Sequence, residues 1–202
     1  MKPIIEKLPL AGNRSFVAKT HATPQFEVPW HQHIEYELIL FTKGEGTSYI
    51  GNYVGSFSTG DVFFLGSNLP HTFQKKNKDL FTSAVVVHFK KDFWGAEFIE
   101  LPETRIIRQL LELSASGIRV TGQCRQKLQS MIPNLEFCTG FSSIIELCKC
   151  LQVISTFHCL RRKHLMMEDD YEKFYNIGRL SPNWRSLQLG HQVKTDQYDY
   201  NS

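Results

Sequence analysis

The chain has no long apolar run. Nothing in its 202 residues approaches the roughly 20 consecutive apolar residues of a membrane-crossing helix. The opening "MKPIIEKLPLAGNRSF" also lacks the apolar core of a secretory signal. Charge of either sign is not in excess: 23 Lys and Arg against 20 Asp and Glu leave a formal net charge of +3, too mild to imply nucleic-acid binding by itself. There is no internal repeat. The five cysteines (Cys124, Cys138, Cys148, Cys150, Cys159) show no zinc-type spacing, because Cys148 and Cys150 lie in a helical pattern with no second Cys/His pair after them. These absences lead us to expect reduced thiols in a cytoplasmic protein with no membrane attachment. The one dense basic run, Arg161, Arg162, Lys163 and His164, ends a helical pattern, where cations meet a helix C-terminus favourably.

What is present divides near residue 98. Before it, segments such as "FEVPWHQHIEYELILF", "GDVFFLG" and "LFTSAVVVHFK" are short and rich in aromatic and β-branched residues, and Gly, Pro, Asn and Asp punctuate them. Short strands at even spacing argue for an antiparallel barrel or sandwich. After it, Ile106, Ile107, Leu110, Leu111 and Leu113 fall at helical spacing, as do Leu128, Met131 and Ile132. Ile144, Leu147, Cys148, Leu151, Ile154 and His158 form a longer stripe. From residue 177 onward no period is sustained, which predicts a loosely docked or disordered tail.

One strand carries unexpected chemistry. In "PWHQHIEYELILF", His31, His33, Glu35 and Glu37 alternate, and alternate residues of a strand share a face. A solvent-facing polar edge is the plain alternative. Against it, both faces become apolar from Leu38 onward, and another histidine, His71, follows a second apolar strand. The pattern predicts a small-molecule or metal pocket inside a β-barrel. His88, on "AVVVHFK", is placed to face the same interior, although a packed histidine is the commoner case. Trp30, Tyr36 and Phe73 flank the pocket motifs, as a wall for a ligand such as a carbohydrate or, more commonly, as core.

These residues resemble the two cupin motifs. His31, His33, Glu37 and Gly44 match H-x-H-x-x-x-E followed by six residues and Gly; Gly60 to His71 matches the second motif. The departures are a missing Gly before His31, Gly66 in place of Pro, Asn68 in place of Gly and Lys75 in place of Asn. The resemblance implies that His31, His33, Glu37 and His71 meet inside the barrel, where such a set suits divalent Zn, Ni or Fe. "GDVFFLGSNLPHTF" and "VVVHFKKDFWG" further resemble the sensory domains of AraC-type transcriptional regulators, and the helices that follow resemble their linker helices.

The resemblance implies a mainly β fold: an antiparallel cupin (double-stranded β-helix, jelly-roll) barrel followed by two or three α-helices. It implies an effector-binding barrel at 1–98, a helical linker and dimerisation region at 99–165, and a truncated linker with its tail at 166–202. The effector pocket would hold His31, His33, Glu35, Tyr36, Glu37, His71 and His88. Ile144, Leu147, Leu151 and Ile154 would pair two subunits in a homodimer. The helix-turn-helix DNA-binding domain of that family has no counterpart here, so we expect a non-enzymatic sensor module that does not bind specific DNA alone. The alternative left open is a metal-dependent cupin enzyme, a dioxygenase or isomerase, using the same His/His/Glu/His set.

Overall fold

A computed structural model describes residues 2–8, 14–23 and 29–155. The strands are β1 (Ile4–Ile5), β2 (Phe16–Thr23), β3 (His31–Gln32), β4 (Tyr36–Lys43), β5 (Glu45–Ile50), β6 (Tyr53–Ser58), β7 (Val62–Leu65), β8 (His71–Lys75) and β9 (Thr82–Phe89). Then come α1 (Arg105–Leu113), β10 (Ile118–Val120), α2 (Gly122–Met131) and α3 (Gly140–Ser155). The strands form two five-stranded sheets, ordered β1-β3-β8-β5-β6 and β10-β7-β4-β9-β2. All pairings are antiparallel except β1 with β3. The fold is mainly β, with antiparallel sheets and three following α-helices, as expected.

Strand β4 explains how the layers stack. It is buried on both faces, and its alternate residues serve different cores. Ile39 and Phe41 point between the sheets, into a cluster with Phe57, Phe63, Phe73 and Val86. Tyr36, Leu38 and Leu40 point outward under the helices, with Phe64, Phe89, Leu110, Leu128 and Leu147. The helical segment is therefore not a detached linker. It shares the outer core with the sheet and contributes β10 as a strand beside β7. The expected boundary at residue 98 crosses one packed unit, because the apolar outer face of the second sheet requires cover.

The stripe expected to pair subunits provides that cover. Leu147, Leu151 and Ile154 are fully buried within one chain, and Ile144 is half-buried. This corrects the assignment of Leu147, Leu151 and Ile154 to a dimer interface: side chains already buried intramolecularly have no apolar surface left to offer. The cysteine expectation also changes, since Cys124 is disulfide-bonded while Cys138, Cys148 and Cys150 are free. Sequence spacing cannot say which thiols approach each other in space. The basic run at 161–164 and the tail from 166 lie outside the described residues.

Two of the motif departures have structural reasons. The Gly66 N–H donates to the Ser114 carbonyl at 2.9 Å, a bond that Pro cannot make, and a Cβ there would come within 2.7 Å of the Ser114 backbone. Asn68 has φ of +56°, the left-handed region that Gly ordinarily supplies and that Asn also tolerates. The Gly60-Asp61 turn is tied to the helical layer as well. The buried Asp61 carboxylate accepts from Arg119 Nη2 at 2.6 Å, Arg125 Nη1 at 3.2 Å and the Ser58 N–H at 2.9 Å.

Candidate functional site

The inner core does not run the full depth of the sandwich. Toward the end formed by β3, the start of β4, the start of β8 and the end of β9, phenylalanines give way to imidazoles and a carboxylate. The register does this. His31 on β3 lies opposite His71 on β8, while Glu37 on β4 lies opposite His88 on β9 and Leu65 on β7. Strand pairing thus brings together side chains spread from residue 31 to residue 88.

Glu37 is the centre. One of its oxygens, Oε2, lies 2.7 Å from His33 Nε2, 3.0 Å from His71 Nε2 and 3.2 Å from His88 Nε2. His31 completes the group, its ring centroid 4.3 Å from that of His71. All four, His31, His33, Glu37 and His71, are buried, and their donor atoms lie within 4.8 Å of one another. Donors each 2.0–2.2 Å from one ion are at most about 4.4 Å apart, so a closure of a few tenths of an ångström would fit a metal.

The far side of each ring sharpens the picture. His31 Nδ1 donates to the Pro29 carbonyl at 2.7 Å, His33 Nδ1 to the Glu35 carbonyl at 3.0 Å and His71 Nδ1 to the Leu69 carbonyl at 2.8 Å. A carbonyl only accepts, so each Nδ1 carries hydrogen. In the neutral rings, each Nε2 then presents a lone pair toward the shared centre. Metal-binding histidines are held by this kind of outer hydrogen bond. Lone pairs on nitrogen facing a carboxylate oxygen require a cation between them, either a proton or a metal ion.

Without a metal, protons do this work. Burial disfavours charge on His33, but its hydrogen bond to Glu37 and the carboxylate's charge outweigh that and raise its pKa. Burial also works against ionised Glu37. The charges of His71 and His88 and the hydrogen bonds from His33 and His71 nevertheless hold its pKa well below the usual carboxylate range. His31 shifts downward, through burial and then the neighbouring charge of His71.

Other expected pocket residues are placed differently. The alternation from 31 to 37 is not one strand: the chain bends between β3 and β4, and Ile34 is exposed at that bend. Glu35 is buried, but on the Nδ1 side of His33, with Oε2 3.9 Å from that nitrogen and no hydrogen-bond partner. Tyr36 is corrected outright. It stacks between Phe64 and Phe89 in the outer core, because β4 turns Tyr36, Leu38 and Leu40 toward the helices. Phe73 fills the inner core, so it too is no exposed wall for a sugar ring.

Two nearby residues gave no usable sequence signal. Glu6, beside β1, puts Oε2 3.3 Å from His31 Nε2. His21, on β2, has its pKa lowered by burial and by the charges of Lys19 and His88, and it also feels Glu37 and Glu6. Sheet pairing of β1 with β3 brings Glu6 to the site, while His21, opposite Ala84, stands further along the sheet and acts only through its charge.

This geometry agrees with what the chain is similar to. Residues 15–91 match the family described as AraC-like ligand binding domain. Among solved structures, an RmlC-like cupin family protein from Methanocaldococcus jannaschii is 19% identical, with 37% of this chain and 70% of that one covered and a TM-score of 0.34. A Cupin 2 conserved barrel domain protein from Salinispora arenicola is 20% identical, with 42% and 71% covered and a TM-score of 0.36. ToxT from Vibrio cholerae is 11% identical, with 90% and 69% covered and a TM-score of 0.48. No curated protein matches. Among the described residues, no helix is long and apolar enough to cross a membrane.

Proposed function

We propose that this chain is a metal-containing sensor module: a divalent ion held by His31, His33, Glu37 and His71 forms the floor of a pocket that binds a small-molecule effector. The observation that carries this reading is the direction of the ring nitrogens. Three Nδ1 atoms are committed to backbone carbonyls, which turns three Nε2 atoms inward around one buried carboxylate. Three imidazoles and one carboxylate suit Zn, Ni or Fe, and a bound ion would provide an electrophilic centre for an oxygen or nitrogen donor of the effector. Glu37 balances the charge; His88 lines the same space and stands ready to hydrogen-bond a bound molecule. A carbohydrate effector loses part of its argument, since Tyr36 and Phe73 belong to the two cores.

The regulatory reading rests on the AraC-like ligand binding domain rather than on the metal. An enzymatic reading, a metal-dependent dioxygenase or isomerase, has one observation in its favour: the ligand set is complete. Elemental analysis of purified protein, followed by calorimetric titration with Zn²⁺, Ni²⁺ and Fe²⁺, tests the metal. We expect near-stoichiometric binding in the native chain and at least a hundredfold loss in Glu37→Gln. Equal binding by both would end the metal reading. Screening the loaded protein for ligand-induced thermal shifts, with turnover followed in parallel, separates sensor from enzyme.

A further inference from the structure

Resting on the metal reading above, we infer that Glu6, on the N-terminal segment, is an additional ligand of the same ion, so that metal binding fastens this segment to the barrel. The segment is otherwise weakly held. β1 is two residues long and pairs in parallel with β3, Ile4 opposite His31. Beyond that short ladder, the Ile4 N–H donates to the Trp30 carbonyl at 3.0 Å and the Glu6 N–H to the Gln32 carbonyl at 2.9 Å. Ile4 and Ile5 are both exposed, so neither side chain anchors the strand in a core. A strand this short is marginal without other support.

A side-chain contact of this segment is chemically specific. Glu6 Oε2 sits 3.3 Å from His31 Nε2. His31 Nδ1 already donates to Pro29, so Nε2 of the neutral ring and the carboxylate present lone pairs to each other. Adjacent donors on one ion, each with a bond of 2.0–2.2 Å, stand about 3 Å apart. The observed spacing is close to that. Glu6 lies outside the group of four that already converge, but its side chain is half exposed and has rotational freedom to close the difference. The set of three imidazoles and one carboxylate also leaves positions open on an ion that takes five or six donors. A carboxylate arriving from a separate, loosely paired segment would close one of them and tie the segment down.

The test compares the native chain with Glu6→Gln and His33→Ala, using Zn²⁺ and Ni²⁺ as probes. Glu6→Gln keeps the shape and hydrogen-bonding of the side chain at a half-exposed position, so folding is retained and is checked by thermal melting. Calorimetry reads affinity. Trypsin reads the segment, through cleavage after the exposed Lys7. We expect Glu6→Gln to weaken metal binding about tenfold, His33→Ala to remove it, and metal to slow cleavage at Lys7 in the native chain only. Native-like affinity in Glu6→Gln, with cleavage at Lys7 indifferent to metal, overturns the role of Glu6 and leaves the four-residue site standing. Failure of the native chain to bind either ion overturns both.

Discussion

The two cores of this protein are built from the same strands and behave differently along their length. The outer one, between the second sheet and the helices, packs Leu38, Leu40, Phe64, Val87, Leu110, Leu128 and Leu147 into one apolar cluster. The inner one, between the sheets, starts as a phenylalanine cluster around Phe41, Phe57, Phe63 and Phe73 and ends in His31, His33, Glu37 and His71. β4 belongs to both, so a step of one residue separates Leu38, which holds the helices on, from Glu37, which centres the site. The outer core carries stability. The polar end of the inner core consumes some of it, because buried charges are desolvated and repaid only by one another.

The comparison breaks most visibly if outer-core truncation leaves stability intact. Phe64→Ala removes a ring stacked near Tyr36 and Phe89 and should cost about 3–5 kcal/mol in urea unfolding. The surviving folded fraction should bind metal as the native chain does. Next is Leu147→Ala, on α3, where a cost of about 2–5 kcal/mol is expected. Sedimentation of this variant should show an unchanged oligomeric state, because the side chain is buried within one chain. A shift in assembly with little loss of stability would restore the interface role.

A smaller effect is expected at the seam between barrel and helices. Asp61→Asn keeps the shape but loses the charge facing Arg119 and Arg125, and both arginines are partly exposed and screened. A loss of about 1.5–3 kcal/mol is the range for a hydrogen bond to charged groups. Smallest should be the pH response of the metal-free protein, read as melting temperature. His33 has a raised pKa, so its contribution is complete below its unfolded value of about 6.5 and is lost as pH rises through the folded value. Glu37 has a lowered pKa, so its contribution is present above about 4.3 and is lost as pH falls through the folded value. His31, shifted the other way, trims the first trend by favouring higher pH. Glu37→Gln should flatten the curve in both windows, and a native profile with no greater pH dependence than that variant would contradict the pairing.

Periodicity settled much of this molecule in advance. Alternating apolar residues and turn residues require a β-rich first half, and helical spacing at Leu110, Leu147 and Leu151 requires helices after it, since each pattern buries an apolar face in only one kind of element. The spacing of His31, His33, Glu37 and His71 was equally legible, because strands carry side chains to fixed faces. Tertiary structure alone decided the rest. Which face of β4 looks inward depends on where the helices pack, so Tyr36 went to the outer core and Glu37 to the site. Whether the α3 stripe covers its own sheet or a second subunit depends on how much apolar sheet is left bare. Glu6 reached the site through pairing of β1 with β3, a contact between segments far apart in the chain that no local pattern encodes.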